Sequence, residues 1–185
     1  MILTAINWIA FACYLEWGLA HLLACGLVCV PAARDDPGAV LSTYLKGASD
    51  KEREHLRDHP FPRHTNRILL QHGYNIGVAG AWSLMLCYFV LAPVRNTWLL
   101  GLLPWTFDIG YFLSVGVPEL GDTASEAQSY IITTALFLTA FVVRDAYDVT
   151  FVELALTMAV PGLLPVAALA NKVYKMVQRK SSNML

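Results

Sequence analysis

The chain has 185 residues, 56% of them hydrophobic and 15% charged, with a formal net charge of −1 and a mean hydropathy of +0.49. Soluble domains carry about 25% charged residues, and here thirteen of the Asp, Glu, Lys and Arg residues crowd between positions 32 and 67. The remainder is apolar enough to exclude a soluble enzyme, a disordered regulator and a free nucleic-acid binder, and it defines an integral membrane protein of one domain.

A helix needs about 20 mostly apolar residues to cross a bilayer. Five stretches qualify: 2–30, 68–92, 98–117, 127–143 and 149–170, the last interrupted by Glu153, Pro161 and Pro165. Backbone groups in hydrocarbon must be satisfied internally, so these stretches read as helices. The expected fold is an all-α, polytopic transmembrane bundle over 1–171, with a charged loop at 31–67 and a basic tail at 172–185. Five spans place eleven basic residues, in the first loop and the tail, on one face. Only Arg95 and Arg144 fall on the other, so the N-terminus is expected outside and the C-terminus inside.

The first stretch has no basic leader, is too long for a signal peptide's apolar core and contains Glu16 and His21, so it reads as a retained span. Cys13, Cys25, Cys29 and Cys87 lie within spans and form no CxxC pair; they read as small buried side chains. In the first loop, Asp36-Pro37 marks a helix start and Ser49-x-x-Glu52 a capping box. His55, His59 and His64 follow as solvated histidines, and His59-Pro60-Phe61-Pro62 ends the loop helix.

Ionisable residues inside spans are costly and mark function, once helix-end chemistry is subtracted. Thr150-x-x-Glu153 and Ser125-x-x-Gln128 read as capping boxes of the fifth and fourth spans. What remains is Glu16, His21, His72, Asn75 and Asp108. Glu16 is near the middle of the first span, with His21 about 7 Å further in at 1.5 Å per residue. The second span is antiparallel, so Asn75 falls at the depth of His21 and His72 one turn deeper; His21, His72 and Asn75 can meet. Asp108 is near the centre of the third span, one turn after Pro104, unless Pro104 itself opens the helix and leaves Asp108 in a first turn. Tyr14, Trp17, Tyr74, Trp82, Trp105 and Tyr111 could wall a pocket or stabilise a developing cation.

Carboxylate–imidazole sets of this kind can donate and accept protons near neutral pH. The expected function is therefore an intramembrane acid/base site, isomerase- or cyclase-like, for a lipophilic sterol- or terpene-like substrate. Glu16 or Asp108 would be the acid, His21 or His72 the base, and Asn75 the orienting group. No metal, nucleotide or nucleophile motif is present, so no cofactor is expected. Membrane lipids and a lipophilic small molecule are the expected partners. Alternatively, the polar residues glue helices together and the chain is an accessory subunit of a respiratory or photosynthetic membrane complex. A stripe of Gly73, Gly77, Gly80 and Ala81 on the second span indicates close helix packing, within the bundle or against a partner.

His21 late in the first helix, with Gln71-His72-Gly73-Tyr74-Asn75 opening the second, resembles a group of small, uncharacterised four-helix bacterial membrane proteins. Those carry a histidine in the first helix and an asparagine–glycine–tyrosine–asparagine-like motif in the second. The resemblance covers 14–117 and implies a similar architecture with a polar contact between the first two helices. His72, the charged loop and the fifth stretch depart from that pattern. In using His, Glu, Asn and Trp inside helices, the chain is also distantly similar to sterol-isomerase-type membrane proteins, by composition and without a shared motif.

Overall fold

The structure, a computed structural model, describes residues 2–34, 36, 54, 63–111, 123–153 and 155. Four long helices hold most of them: α1 (Ile2–Ala33), α2 (Arg63–Leu91), α3 (Thr97–Tyr111) and α4 (Thr123–Tyr147). No strand occurs among the described residues. Among the described residues, three segments are long and apolar enough to cross a membrane: Thr4–Ala33, His64–Leu91 and Ala127–Tyr147. The 15 residues of α3 cover about 22 Å, short of the ~30 Å hydrocarbon core. The rest of the third expected span, the loop helices read from Asp36-Pro37 and Ser49-x-x-Glu52, and nearly all of the fifth stretch lie outside the described residues.

The helix ends follow from local chemistry. Pro93 has no N–H to continue the hydrogen-bond ladder of α2, whose last turn closes with the Ala92 N–H on the Tyr88 carbonyl. A tight turn follows, in which Thr97 Oγ1 accepts from the Val94 N–H at 2.8 Å and the Thr97 N–H returns to the Val94 carbonyl. The α4 helix stops at Asp148, whose φ of 50° is the left-handed C-terminal stop that Asp tolerates better than most residues. Beyond it, Thr150 and Glu153 form a reciprocal cap: Glu153 Oε2 accepts from the Thr150 N–H at 3.0 Å, and Thr150 Oγ1 from the Glu153 N–H at 3.2 Å.

The helices pack as a ring in the order α1, α2, α3, α4, with α4 closing on α1. Helices α1 and α3 therefore face each other across the centre. Tyr14, Trp17, Leu86, Trp105, Ile132 and Leu136 fill that centre. Outside it, Trp8, Leu19, Leu23, Tyr88 and Phe141 are exposed, the inverse of a water-soluble surface.

Two features position the site. The first is the seam between α1 and α2, which the small residues of α2 make possible. A Cβ built on Gly80 would lie 2.9 Å from the Gly18 carbonyl oxygen, and one on Gly18 3.0 Å from that of Gly80. The Cys25 and Cys29 thiols fill the space left by Gly77 and Gly73, since Cβ atoms there would lie 2.7 and 2.5 Å from the sulfurs. The glycine stripe is thus an internal contact, while Ala81 is exposed.

The second is Pro104, which sits inside a continuous α3, so Asp108 belongs to the helix body and not to a first turn. A proline has no N–H to give the carbonyl four residues back, here that of Leu100. The Trp82 indole of α2 supplies the missing donor, with Nε1 2.9 Å from the Leu100 oxygen. Backbone groups freed in a membrane helix need such a substitute.

Candidate functional site

Asp108 is buried on α3, facing α1 across the bundle. Its carboxyl is held at both oxygens. Trp17 Nε1 donates to Oδ1 at 3.2 Å, and Ser129 Oγ of α4 donates to Oδ2. His21, one turn beyond Trp17 on α1, completes the group with Nε2 3.6 Å from Asp108 Oδ1.

The orientation of His21 is set by its own helix. Nδ1 lies 2.9 Å from the Trp17 carbonyl, which can only accept, so Nδ1 carries a hydrogen. In the neutral ring Nε2 is then an acceptor facing Asp108, another acceptor. The two groups are compatible when a single further proton lies on one or the other, as imidazolium with carboxylate or imidazole with carboxylic acid. The ring is stacked on the Trp17 indole at 3.6 Å between centroids and 22° between planes, and Phe107 of α3 meets it edge-on at 6.2 Å. A cationic imidazole is favoured over an indole face. The His21 side chain is 14% exposed and that of Asp108 4%, so His21 is the more accessible member.

Around this pair the other aromatic tips are tied down. Tyr14 Oη and Thr139 Oγ1 are hydrogen-bonded at 3.2 Å, with Gly101 so close that a Cβ there would lie 2.5 Å from the hydroxyl. Trp105 Nε1 donates to Thr133 Oγ1 at 3.0 Å. Ser129 and Thr133 are one turn apart on α4 and meet Asp108 and Trp105 on antiparallel α3, so one polar stripe faces another.

Of the residues singled out from the sequence, the structure brings together His21, Asp108 and Trp17, with Tyr14 and Trp105 in the same core. It does not bring Asn75 or Tyr74 to them; both are exposed on α2, and His72 is half-buried one turn before Ile76. Trp82 braces α3 at Leu100. Glu16 points outward and accepts from Gln128 Nε2 at 2.8 Å. Gln128 is the sixth residue of α4 and bridges to α1, not to its own helix start as the Ser125-x-x-Gln128 spacing implied. The side chain of Tyr111 lies outside the described residues.

Ser129 was missed by reasoning from the sequence. The consecutive polar pair Gln128-Ser129 opening an apolar stretch was the available signal, and it was absorbed into helix capping. Among the described residues no group of three or more His, Cys, Asp or Glu side chains could hold a metal ion. A concavity of about 410 Å³ opens at the bundle end near Ile6, Arg144 and Phe151, remote from Asp108 along the helices.

No protein-family model, no curated protein and no solved structure matches the chain. The class is set by the structure alone: the described residues are all-helical, with three helices among them long and apolar enough to cross a membrane, and they hold a buried carboxyl–imidazole pair.

Proposed function

We propose that this protein is a small membrane enzyme in which Asp108 and His21 transfer protons to and from a lipophilic substrate, sterol- or terpene-like, as in isomerisation or cyclisation. The observation that carries the proposal is the orientation of His21: with Nδ1 committed to the Trp17 carbonyl, Nε2 is the nitrogen that faces Asp108 Oδ1, 3.6 Å away, setting an acid and a base side by side. Double-bond migration requires no more than this. The π pair of the old double bond takes a proton at one of its carbons and leaves the other cationic; the carbon beyond that centre then loses a proton, and the pair of the broken C–H bond becomes the new double bond, so no outside electron donor enters. The Trp17 indole, stacked on His21, would favour the imidazole in its charged form as it takes up a proton. The proposal includes five crossings with the N-terminus outside, supported by eleven of the thirteen Lys and Arg residues falling on one face under that count.

The test is isotopic and does not need the substrate's name. Purified protein is incubated in D2O with a membrane lipid extract, and lipids are scored by mass spectrometry for deuterium bound to carbon. Wild type should incorporate it, whereas Asp108→Asn and His21→Gln should each fall by a factor of about 10²–10⁴, the usual contribution of a positioned acid or base. Incorporation no greater in wild type than in the two variants would overturn the assignment.

A further inference from the structure

One end of the bundle holds a feature that the proton-transfer pair does not use. The concavity there, of about 410 Å³, falls within the roughly 300–1,000 Å³ of pockets that take small ligands. Its depth in the bilayer is fixed by the spans that border it. Ile6 is the third residue of the span that begins at Thr4, and Arg144 and Asp145 are in the last turn of the span that ends at Tyr147. Helices α1 and α4 run in opposite directions, since Glu16 meets Gln128 whereas Ile6 lines the same cavity as Arg144. Both span ends therefore lie on one face of the membrane, at the level of the lipid headgroups. Along α4 the lining turns from apolar to charged in the outward direction: Phe141 one turn below, Arg144 and Asp145 at the end of the span, Asp148 beyond it. Ile6 and Phe151 extend the apolar part.

The backbone of this wall is held in place. Tyr147 Oη donates to the Pro93 carbonyl, Val149 is buried against the core, and Thr150 is capped by Glu153, which pairs with Arg95 at 4.0 Å. Its charged side chains are left open. Among the described residues, Arg144, Asp145 and Asp148 form no ion pair or side-chain hydrogen bond, with one another or with any other group. A guanidinium is the side chain best shaped for phosphate, which it takes with two parallel N–H donors. Two carboxylates only accept, so they call for a cation that brings hydrogens. A phosphate joined to a primary ammonium carries both groups. In a phospholipid the acyl chains lie innermost, the phosphate next and the amine outermost, the order in which Phe141, Arg144 and Asp148 stand. Choline has no N–H to give the carboxylates, and an anionic head would meet two negative side chains against one positive.

We propose that this concavity is a headgroup site for phosphatidylethanolamine, with Arg144 taking the phosphate and Asp145 and Asp148 the ammonium. The site is remote from Asp108 along the helices and does not rest on the proton-transfer reading, so failure of the deuterium test leaves it standing.

In the experiment the full chain, purified in dodecyl maltoside, is titrated with dioctanoyl phospholipids, and bound lipid is counted by native mass spectrometry. Wild type should bind phosphatidylethanolamine about tenfold or more tighter than phosphatidylcholine, the difference expected for one hydrogen bond to a charged group. Arg144→Gln should weaken both lipids alike, by about tenfold, since both carry the phosphate. Asp145→Asn combined with Asp148→Asn should remove the preference for ethanolamine by weakening that lipid alone, while phosphatidylglycerol should bind more tightly than it does to wild type. All three side chains are exposed, and Asn tolerates the left-handed backbone at position 148, so the variants should keep the fold, as circular dichroism will check. Equal affinity of wild type for the two lipids, a preference that survives the double variant, or an Arg144→Gln chain that binds like wild type would each overturn the site. Displacement of the lipid by soluble phosphoethanolamine at matching concentration would overturn its assignment to a lipid.

Discussion

Replacing Trp82 by Phe should expose the cost of Pro104. In the native protein the Leu100 carbonyl has lost its helical donor to Pro104 and accepts from Trp82 Nε1 at 2.9 Å instead. Trp82→Phe keeps a ring in the packing but leaves that carbonyl without a partner. An orphaned buried acceptor costs about 1–3 kcal/mol, and interhelical hydrogen bonds in membranes are worth about 0.6–1.7 kcal/mol; the expected loss is therefore about 1–2 kcal/mol. Pro104→Ala restores an N–H four residues after Leu100, which can then close the ordinary helical bond. In that background Trp82→Phe should cost only the difference in packing, giving a coupling of about 1 kcal/mol in the double-mutant cycle. The assay is reversible unfolding of the four proteins in mixed detergent micelles, followed by circular dichroism. Equal costs of Trp82→Phe in both backgrounds, within about 0.3 kcal/mol, would refute the argument that the indole replaces the missing donor.

Three further outcomes follow from the same geometry. Gly80→Val places side-chain atoms against the Gly18 carbonyl and should destabilise the α1–α2 seam by about 1–3 kcal/mol, read as a lower thermal midpoint in detergent. Because a Cβ at Gly80 also comes within 3.1 Å of the His21 Cβ, proton-transfer activity should fall further than stability does. Gly101→Ala should destabilise by a similar ~1–3 kcal/mol through collision with the Tyr14 hydroxyl; Tyr14→Phe removes that oxygen, so the double variant should lose less than the sum, and strict additivity would count against the contact. Asp108→Leu strands the Trp17 and Ser129 donors and should cost about 2–4 kcal/mol, whereas Asp108→Asn keeps an acceptor and should unfold closer to wild type; a reversed order in chemical denaturation would contradict the hydrogen bonds seen at both carboxyl oxygens.

Much of the helical framework was legible in the sequence because it depends on composition and local chemistry. Long apolar runs must be helical in hydrocarbon, and Thr150-x-x-Glu153 needs only its own four residues to form a cap. The glycine stripe on α2 was equally legible as a close contact, since nothing but small side chains permits one. Its partner was not, and only the packing of Gly80 on Gly18 shows that the stripe faces α1.

Most residues of the candidate site were legible in the sequence, but which of them meet was not, for one physical reason. A membrane helix that is apolar all round carries no periodicity to show which way a polar residue points. Depth along each helix can be counted at 1.5 Å per residue, but rotation about the axis cannot. By depth alone His72 and Asn75 were as eligible to meet His21 as Asp108 was. The ring of four helices decides among them, setting α1 across from α3 so that Trp17 and His21 turn inward to Asp108 while Asn75 and Glu16 turn outward. The amino-acid sequence determined that this chain belongs in a membrane and which of its residues are chemically out of place there; the tertiary structure decided which of those residues face one another, because that is a property of how the helices are rotated and packed.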